Sequence, residues 1–313
     1  MNIKKLINRG FKYIVNKDYR FRINAAYGKY NDMPDEEYIK KQFKACMGNE
    51  LNLENPKTFN EKLQWLKLND RNPLYTIMAD KYSVREYLKQ NSMGGGTAYC
   101  VPLIDVWEKE EDIDFDKLPE KFVLKCNHNS GLGMCICKNK SKLNIEAVRK
   151  NLKSGLEQDY YLTSREWPYK DINRKIICEK FMEDGTFNNA MTDYRMYCFN
   201  GKPAFIHITS DTTNSEKELC YFVDLEWNSL EYRRKDESYY VEVPSKPSSL
   251  NDMIAFARKF AKDIPFVRCD FYEVGGKMYF SEFTFFPSGG YVPFVDHKYD
   301  IEIGRLLQLP ISK

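Results

Sequence analysis

Two acids stand where a sheet interior would take apolar side chains. In CDFYEVGGKMYFSEFTFFPSGG, residues 269–290, aromatic-rich segments flank Gly275-Gly276, which predicts a β-hairpin. Asp270 lies on one strand and Glu282 on the other. Arg268 and Asp270 share a face because they are two apart, and so do Glu282 and Thr284. The turn decides whether the two faces coincide. A two-residue turn pairs 274 with 277, sets 270 opposite 281, and sends the acids to opposite faces. A three-residue loop with a glycine bulge gathers Arg268, Asp270, Glu282 and Thr284 on one face, with Cys269, Phe271, Tyr279, Ser281 and Phe283 on the other. Two carboxylates and a hydroxyl converging this way suit hard, oxygen-liganded Mg²⁺. The sequence thus sets a condition: the metal reading requires an odd number of residues in the loop.

Four other stretches carry chemistry. In FVLKCNHNSGLGM, residues 122–134, a strand delivers Lys125 into a loop holding His128, Ser130, Gly131 and Gly133. Such a loop either turns its backbone N–H groups toward phosphate oxygens or is only a turn. His128 reads equally as a substrate or phosphate contact and as a loop histidine bonded to backbone. In MADKY, Lys81 at the first turn of a helix runs against the helix dipole. In KIICEKFMEDG, the strand end Glu179-Lys180-Phe181-Met182 either leaves the core or offers backbone groups and an apolar wall to a planar base. DFD at 114–116 has the D-x-D form that holds a Mg²⁺-nucleotide-sugar, and it also reads as a charged turn. Trp167 in REWPYK stacks on a sugar or packs.

The elements that must position these residues follow from composition and pattern. The chain has 313 residues, 42% hydrophobic and 15% aromatic, enough for a sizeable core. Nine cysteines, scattered and mostly in apolar runs without a CxxC pair, predict buried thiols in a reducing cytoplasm and no zinc site; three histidines are too few for a His-rich metal site. The net charge is +3, but residues 1–22 hold seven Lys or Arg and one acid, which leaves the remainder at −3 and argues against a nucleic-acid protein. No apolar run is long enough for a membrane span, and the N-terminus lacks a signal-type stretch. Ile3, Leu6, Ile7, Phe11, Ile14 and Val15 form a helical stripe among lysines, suited to an anionic membrane surface or to docking on the protein's own body. Helices dominate to about Gln90. Thr58 and Glu61 make a capping-box pattern, and Asp80 is the expected N-cap of the next helix. Strands are expected at AYCVPLIDVW, KFVLKCN and KIICEKFM, a helix over 144–158, a hairpin at Asn200-Gly201, and a helix in PSSLNDMIAFARKFAKDI. Interspersed helices and hairpins predict an α+β fold rather than a doubly wound one.

The order ADK, VLKCNHNSG, IICEKFM and VRCDFY…YFSEFTFFPSGG resembles the ATP-grasp superfamily, as in D-alanine–D-alanine ligases. NPKTFNEKLQWLKL, ADKYSVREYL, LPEKFVLKCNHNSG, EWPYKDI, DYRMYCFNGKP and VRCDFY are similar to its TupA-like branch, which is predicted to act in bacterial cell-surface polysaccharide (capsule-type) synthesis. The resemblance covers roughly residues 35–310. It implies two α+β subdomains clasping ATP: a basic helical region over 1–75, a first subdomain over 76–180 with the phosphate-covering loop, and a catalytic subdomain over 181–313 with the metal site. It makes Lys81 and Lys125 the ATP-contacting lysines, Asn127 to Gly133 the phosphate-covering loop, and Glu179 to Met182 the adenine hinge. Asp270 and Glu282 become Mg²⁺ ligands, with Thr284 where the superfamily more often has asparagine. Arg268, with Lys125, steadies the transferring phosphoryl group. Asp193 reaches the ribose, and Arg195 a phosphate or the substrate. The implied activity is carboxylate–amine ligation through an acyl-phosphate, joining an amino acid to a glycan, with no nucleophilic Ser or Cys. A kinase with a hydroxyl acceptor and a glycosyltransferase are the rival readings. A cytoplasmic protein with peripheral membrane contact through residues 1–22 completes the expectation.

Overall fold

The computed structural model describes residues 10–91, 98–183, 192–210 and 219–310. The glycine run at 94–96 and the stripe residues Ile3, Leu6 and Ile7 lie outside the described residues. Within them, Phe11, Ile14 and Val15 are exposed, so that part of the stripe does not dock on the body.

Two sheets organise the chain. Strands β1 (Leu103–Trp107), β2 (Phe122–Cys126), β3 (Met134–Cys137) and β4 (Ile176–Lys180) form the first, in the order β1-β4-β2-β3, all antiparallel. Helix Ile145–Glu157 buries Val148 and Leu152, four apart on one face, against Phe122, Leu124 and Cys126 of β2. The second sheet holds β5 (Thr192–Phe199), β6 (Lys202–Ser210), β7 (Leu219–Asp224), β8 (Ser238–Tyr239), β9 (Phe266–Val274) and β10 (Lys277–Thr284), in the order β10-β9-β5-β6-β7-β8. The short β7–β8 pair is its parallel contact. The Asn200-Gly201 turn joins β5 to β6 with φ 47° and 79°, as a two-residue hairpin turn requires. Helix Leu250–Phe260 turns Met253, Phe256, Ala257 and Phe260 onto the sheet, and the Phe256 ring lies 5.2–5.4 Å from those of Phe271 and Phe280. Helix Phe59–Asn69 opens on the expected capping box: Thr58 Oγ1 accepts from Glu61 N at 3.1 Å, and Glu61 Oε2 accepts from Thr58 N at 3.0 Å.

The opening hairpin corrects the odd-loop condition. Its turn holds two residues, because Val274 pairs with Lys277. The register then shifts inside β10: Phe280 faces Phe271, yet Glu282 faces Asp270. Ser281 is the extra residue of a β-bulge. One inserted residue in the strand does what an odd loop would have done, and the turn keeps its favourable glycine geometry, with φ 59° and 74° at Gly275 and Gly276. The expected core face is corrected too. Before the bulge, Met278 and Phe280 rather than Tyr279 and Ser281 join Cys269, Phe271 and Phe283 in the core. Ser281 Oγ instead lies 3.3 Å from the Tyr272 hydroxyl.

Candidate active site

The bulge delivers four polar side chains to one place. Arg268 Nε donates to Asp270 Oδ1 at 2.7 Å, its Nη2 binds Asp270 Oδ2, and Nη2 reaches Thr284 Oγ1 at 3.2 Å. Glu282 Oε1 lies 4.0 Å from the same nitrogen. Arg268, Asp270 and Thr284 are buried, in a sheet whose other face is aromatic. Arg195 extends the row. It pairs across the sheet with Asp270 on one side and His207 on the other, and it binds Asp193 Oδ2 at 3.1 Å.

The cations come from elsewhere in the chain. Lys81 does not start a helix; it lies in the turn between helices Leu74–Ala79 and Ser83–Asn91. Asp80 Oδ1, read from sequence as an N-cap, accepts from Tyr82 N at 2.8 Å, and Asn127 Nδ2 donates to the same oxygen at 2.7 Å. Asn127 is fully buried and also bonds Asn173 O and Lys175 N, so it locks the end of β2 to this turn. Lys81 Nζ then donates to Asn129 O at 2.9 Å and pairs with Glu282 Oε2 at 3.1 Å. Burial alone would raise the Glu282 carboxyl, but Lys81, Arg268 and Lys125 outweigh it and hold it at about 2. Asp270 is pushed upward by burial, and the Arg268 guanidinium opposes the rise. Lys81, held beside the end of β2, thus brings positive charge to an acid on the second sheet.

The remaining sequence candidates divide. Lys125 Nζ pairs with Glu179 Oε2 at 2.6 Å, and Arg85 takes the other oxygen of Glu179 while donating to Val101 O at 2.7 Å. Both Glu179 oxygens are therefore engaged within the protein. Lys180 N donates to Pro102 O at 2.9 Å, which leaves Phe181 and Met182, half-buried beyond β4, as the open end of the expected hinge. His128 departs from the phosphate reading. It is buried, and Nε2 bonds the Gln158 carbonyl at 3.1 Å, the backbone alternative. Gly133 departs as well. A Cβ there would meet Cys126 Sγ at 2.6 Å and Gly155 Cα at 2.9 Å, so its bareness serves helix packing. Ser130 and Gly131 remain exposed at the loop tip; Gly131 has φ 86° and open space around it. Trp167 packs, with its ring 5.8 Å from that of Tyr75. The D-x-D stretch is a local turn: Asp114 accepts from Asp116 N at 3.2 Å and pairs with Lys117.

Three residues near the site carried no sequence signal. Arg85 lies within a plain amphipathic helix. Lys67, fully buried, donates to Gly289 O at 2.6 Å, Ser164 O at 2.9 Å and Gln64 Oε1 at 3.0 Å, and fixes the loop after β10. Glu166, bonded to the Ser164 hydroxyl, has its carboxyl raised by burial although Lys67 and Arg268 oppose the rise.

These two sheets, with Lys125 on one and Asp270 and Glu282 on the other, have the α+β ATP-grasp architecture. Residues 61–308 match the family described as TupA-like ATPgrasp, and the chain belongs to that family. Members of the wider ATP-grasp group are ATP-dependent ligases that form C–N bonds. Among solved structures the chain is similar to the D-alanine–D-alanine ligase of Bacillus anthracis complexed with ATP, at 18% identity and TM-score 0.40, over 66% of this chain and 55% of that one. The corresponding ligase of Helicobacter pylori gives 15% identity and TM-score 0.42, over 80% and 69%. The ATP-grasp ligase PsnB, complexed with a phosphomimetic variant of its minimal precursor, Mg and ADP, gives 8% identity and TM-score 0.40, over 83% and 65%. The chain thus spans little more than half of the first of these ligases. No curated protein sequence matches it. Among the described residues, no helix is long and apolar enough to cross a membrane.

Proposed function

We propose that this protein is an ATP-dependent carboxylate–amine ligase that works through an acyl-phosphate. The observation that carries the reading is the Lys81–Glu282 contact, 3.1 Å, where a cation from the turn beside the first sheet meets an acid of the second. Asp270, Glu282 and Thr284 offer only hard oxygen donors on one face, a set that fits Mg²⁺. Bound there, the ion would neutralise charge on the ATP phosphates. Lys81 and Lys125 would then turn from their acid partners to the phosphate oxygens, and Arg268 would take up charge on the transferring group. A substrate carboxylate oxygen forms a bond to the γ-phosphorus as the bond to ADP breaks. The amine nitrogen next attacks the acyl carbon, phosphate leaves, and the amine proton passes to solvent or a nearby base. The Ser130-Gly131 tip would cover the acyl-phosphate and keep water away. Phe181 and Met182 would flank adenine, Asp193 would meet the ribose, and Arg195 a phosphate or the substrate.

The substrates proposed are an amino acid and a cell-surface polysaccharide or its precursor, joined as an amide. Residues 1–22 carry +6, and exposed Phe11, Ile14 and Val15 suit a lipid-linked glycan at the inner membrane face. The test is ADP release from ATP with panels of uronic acids and amino acids. Release that requires both an acid and an amine supports the ligase. Release with a hydroxyl acceptor alone points to a kinase, and UDP release from a nucleotide-sugar without ATP use overturns the reading. Glu282→Ala should turn over nothing detectable.

A further inference from the structure

A second polar cluster lies on the same sheet face, beyond Arg195. His207 of β6, Cys220 of β7 and Glu237, just before β8, bring one ligand atom each within 4.8 Å of one another. Glu237 Oε2 is central: His207 Nε2 lies 3.3 Å from it and Cys220 Sγ 3.2 Å. His207 and Cys220 are fully buried. His207 Nδ1 has no hydrogen-bond partner among the described residues, and Nε2 faces Glu237 Oε2. A buried imidazole with one nitrogen unspent is costly as it stands. Its ring is nonetheless held firmly, stacked on Phe222 at 4.2 Å and 4°.

We propose that His207, Cys220 and Glu237 form a transition-metal site of the zinc class, separate from the Mg²⁺ face. Zinc bonds of about 2.0–2.3 Å at tetrahedral angles separate an N and an O ligand by about 3.3 Å and an S and an O ligand by about 3.5 Å. Two of the three separations are therefore near those values, and the thiol and imidazole need only draw together. One thiolate and one carboxylate neutralise the ion's two charges, which suits a buried position. The outer contacts fit as well. Arg234 Nε lies 3.3 Å from Glu237 Oε1, the oxygen turned away from the cluster, and the guanidinium is balanced by Asp236. The ligands are softer than Asp270, Glu282 and Thr284, so the two sites select different ions. Three protein ligands leave a fourth position for water. The ion would tie β6 and β7 to the segment holding Arg234, whose Nη2 donates to Ser288 Oγ at 2.7 Å in the loop after β10. It would thereby brace that loop.

The test uses the full chain and zinc alone, so ATP turnover is not the readout. Protein equilibrated with zinc and desalted is expected to keep about one ion per chain by elemental analysis, and Cys220→Ser to weaken binding by about 100-fold or more. His207→Gln should do the same, with circular dichroism checking that each variant folds. Cobalt added to the wild-type chain should give the thiolate-to-metal charge-transfer band, which decides the matter even if a variant fails to fold. Retention of less than about a tenth of an ion per chain overturns the site. So does zinc that neither substitution affects, or a cobalt spectrum without the thiolate band.

Discussion

Replacing Glu282 by glutamine isolates the electrostatic join between the two sheets. In the ligand-free protein this carboxyl is held at about 2 against its ordinary 4.5, with burial opposed by Lys81, Arg268 and Lys125. That depression corresponds to about 3 kcal/mol of stability at neutral pH. The side chain is 29% exposed, and solvent screening trims the figure to about 2 kcal/mol. The variant also leaves the Lys81 ammonium facing a neutral amide, and breaking a buried pair from one side costs about 3–5 kcal/mol. A loss of about 2–4 kcal/mol at pH 7 is expected, read as a drop in the urea midpoint by tryptophan fluorescence. The pH profile fixes its origin. Because the folded carboxyl is depressed, its contribution is fully present above about 4.5 and fades as pH falls toward about 2. The gap between wild type and variant should therefore be flat from pH 7 to 5 and narrow below that. Adding Lys81→Met should recover part of the loss, with a coupling of about 1–3 kcal/mol. A gap under about 1 kcal/mol at pH 7, or one that fails to narrow on acidification, would refute the electrostatic account.

Gly133→Ala should destabilise by about 2 kcal/mol or more in a thermal melt, because the new methyl collides with Cys126 Sγ and Gly155 in a backbone at φ 73°. Gly131→Ala has open space and should cost only about 1 kcal/mol, while slowing ATP-dependent turnover if the tip must close. Replacing Asp114 and Asp116 together by asparagine should leave ATP-dependent activity unchanged, and a loss of activity would reopen the nucleotide-sugar reading.

What could be read in the sequence tracks how local the physics is. The Thr58–Glu61 box and the Asn200-Gly201 turn are complete within a few residues, and both appear as expected. Asp270 and Glu282 were legible as misplaced acids, but the device that aligns them was not. A bulge at Ser281 costs only one extra residue, and nothing in YFSEF distinguishes it from a regular strand. Glu179 was legible as a strand-end acid, whereas its capture by Arg85 depends on a contact across 94 residues that no spacing encodes. Cysteine spacing speaks only to ligands close together in sequence. The absence of a CxxC pair argued against zinc, because that signature presumes neighbouring ligands on one turn. His207, Cys220 and Glu237 instead sit on two strands and the segment before a third, and the pairing of β7 with both β6 and β8 brings them together. The pairings of β5 with β6 and with β9 place His207 in the cross-strand row of Arg195 and Asp270, so the proposed second cluster shares a sheet face with the two acids. A slip of one residue between β6 and β7 would turn His207 and Cys220 to opposite faces and dissolve that cluster, while leaving the β9–β10 acids in place.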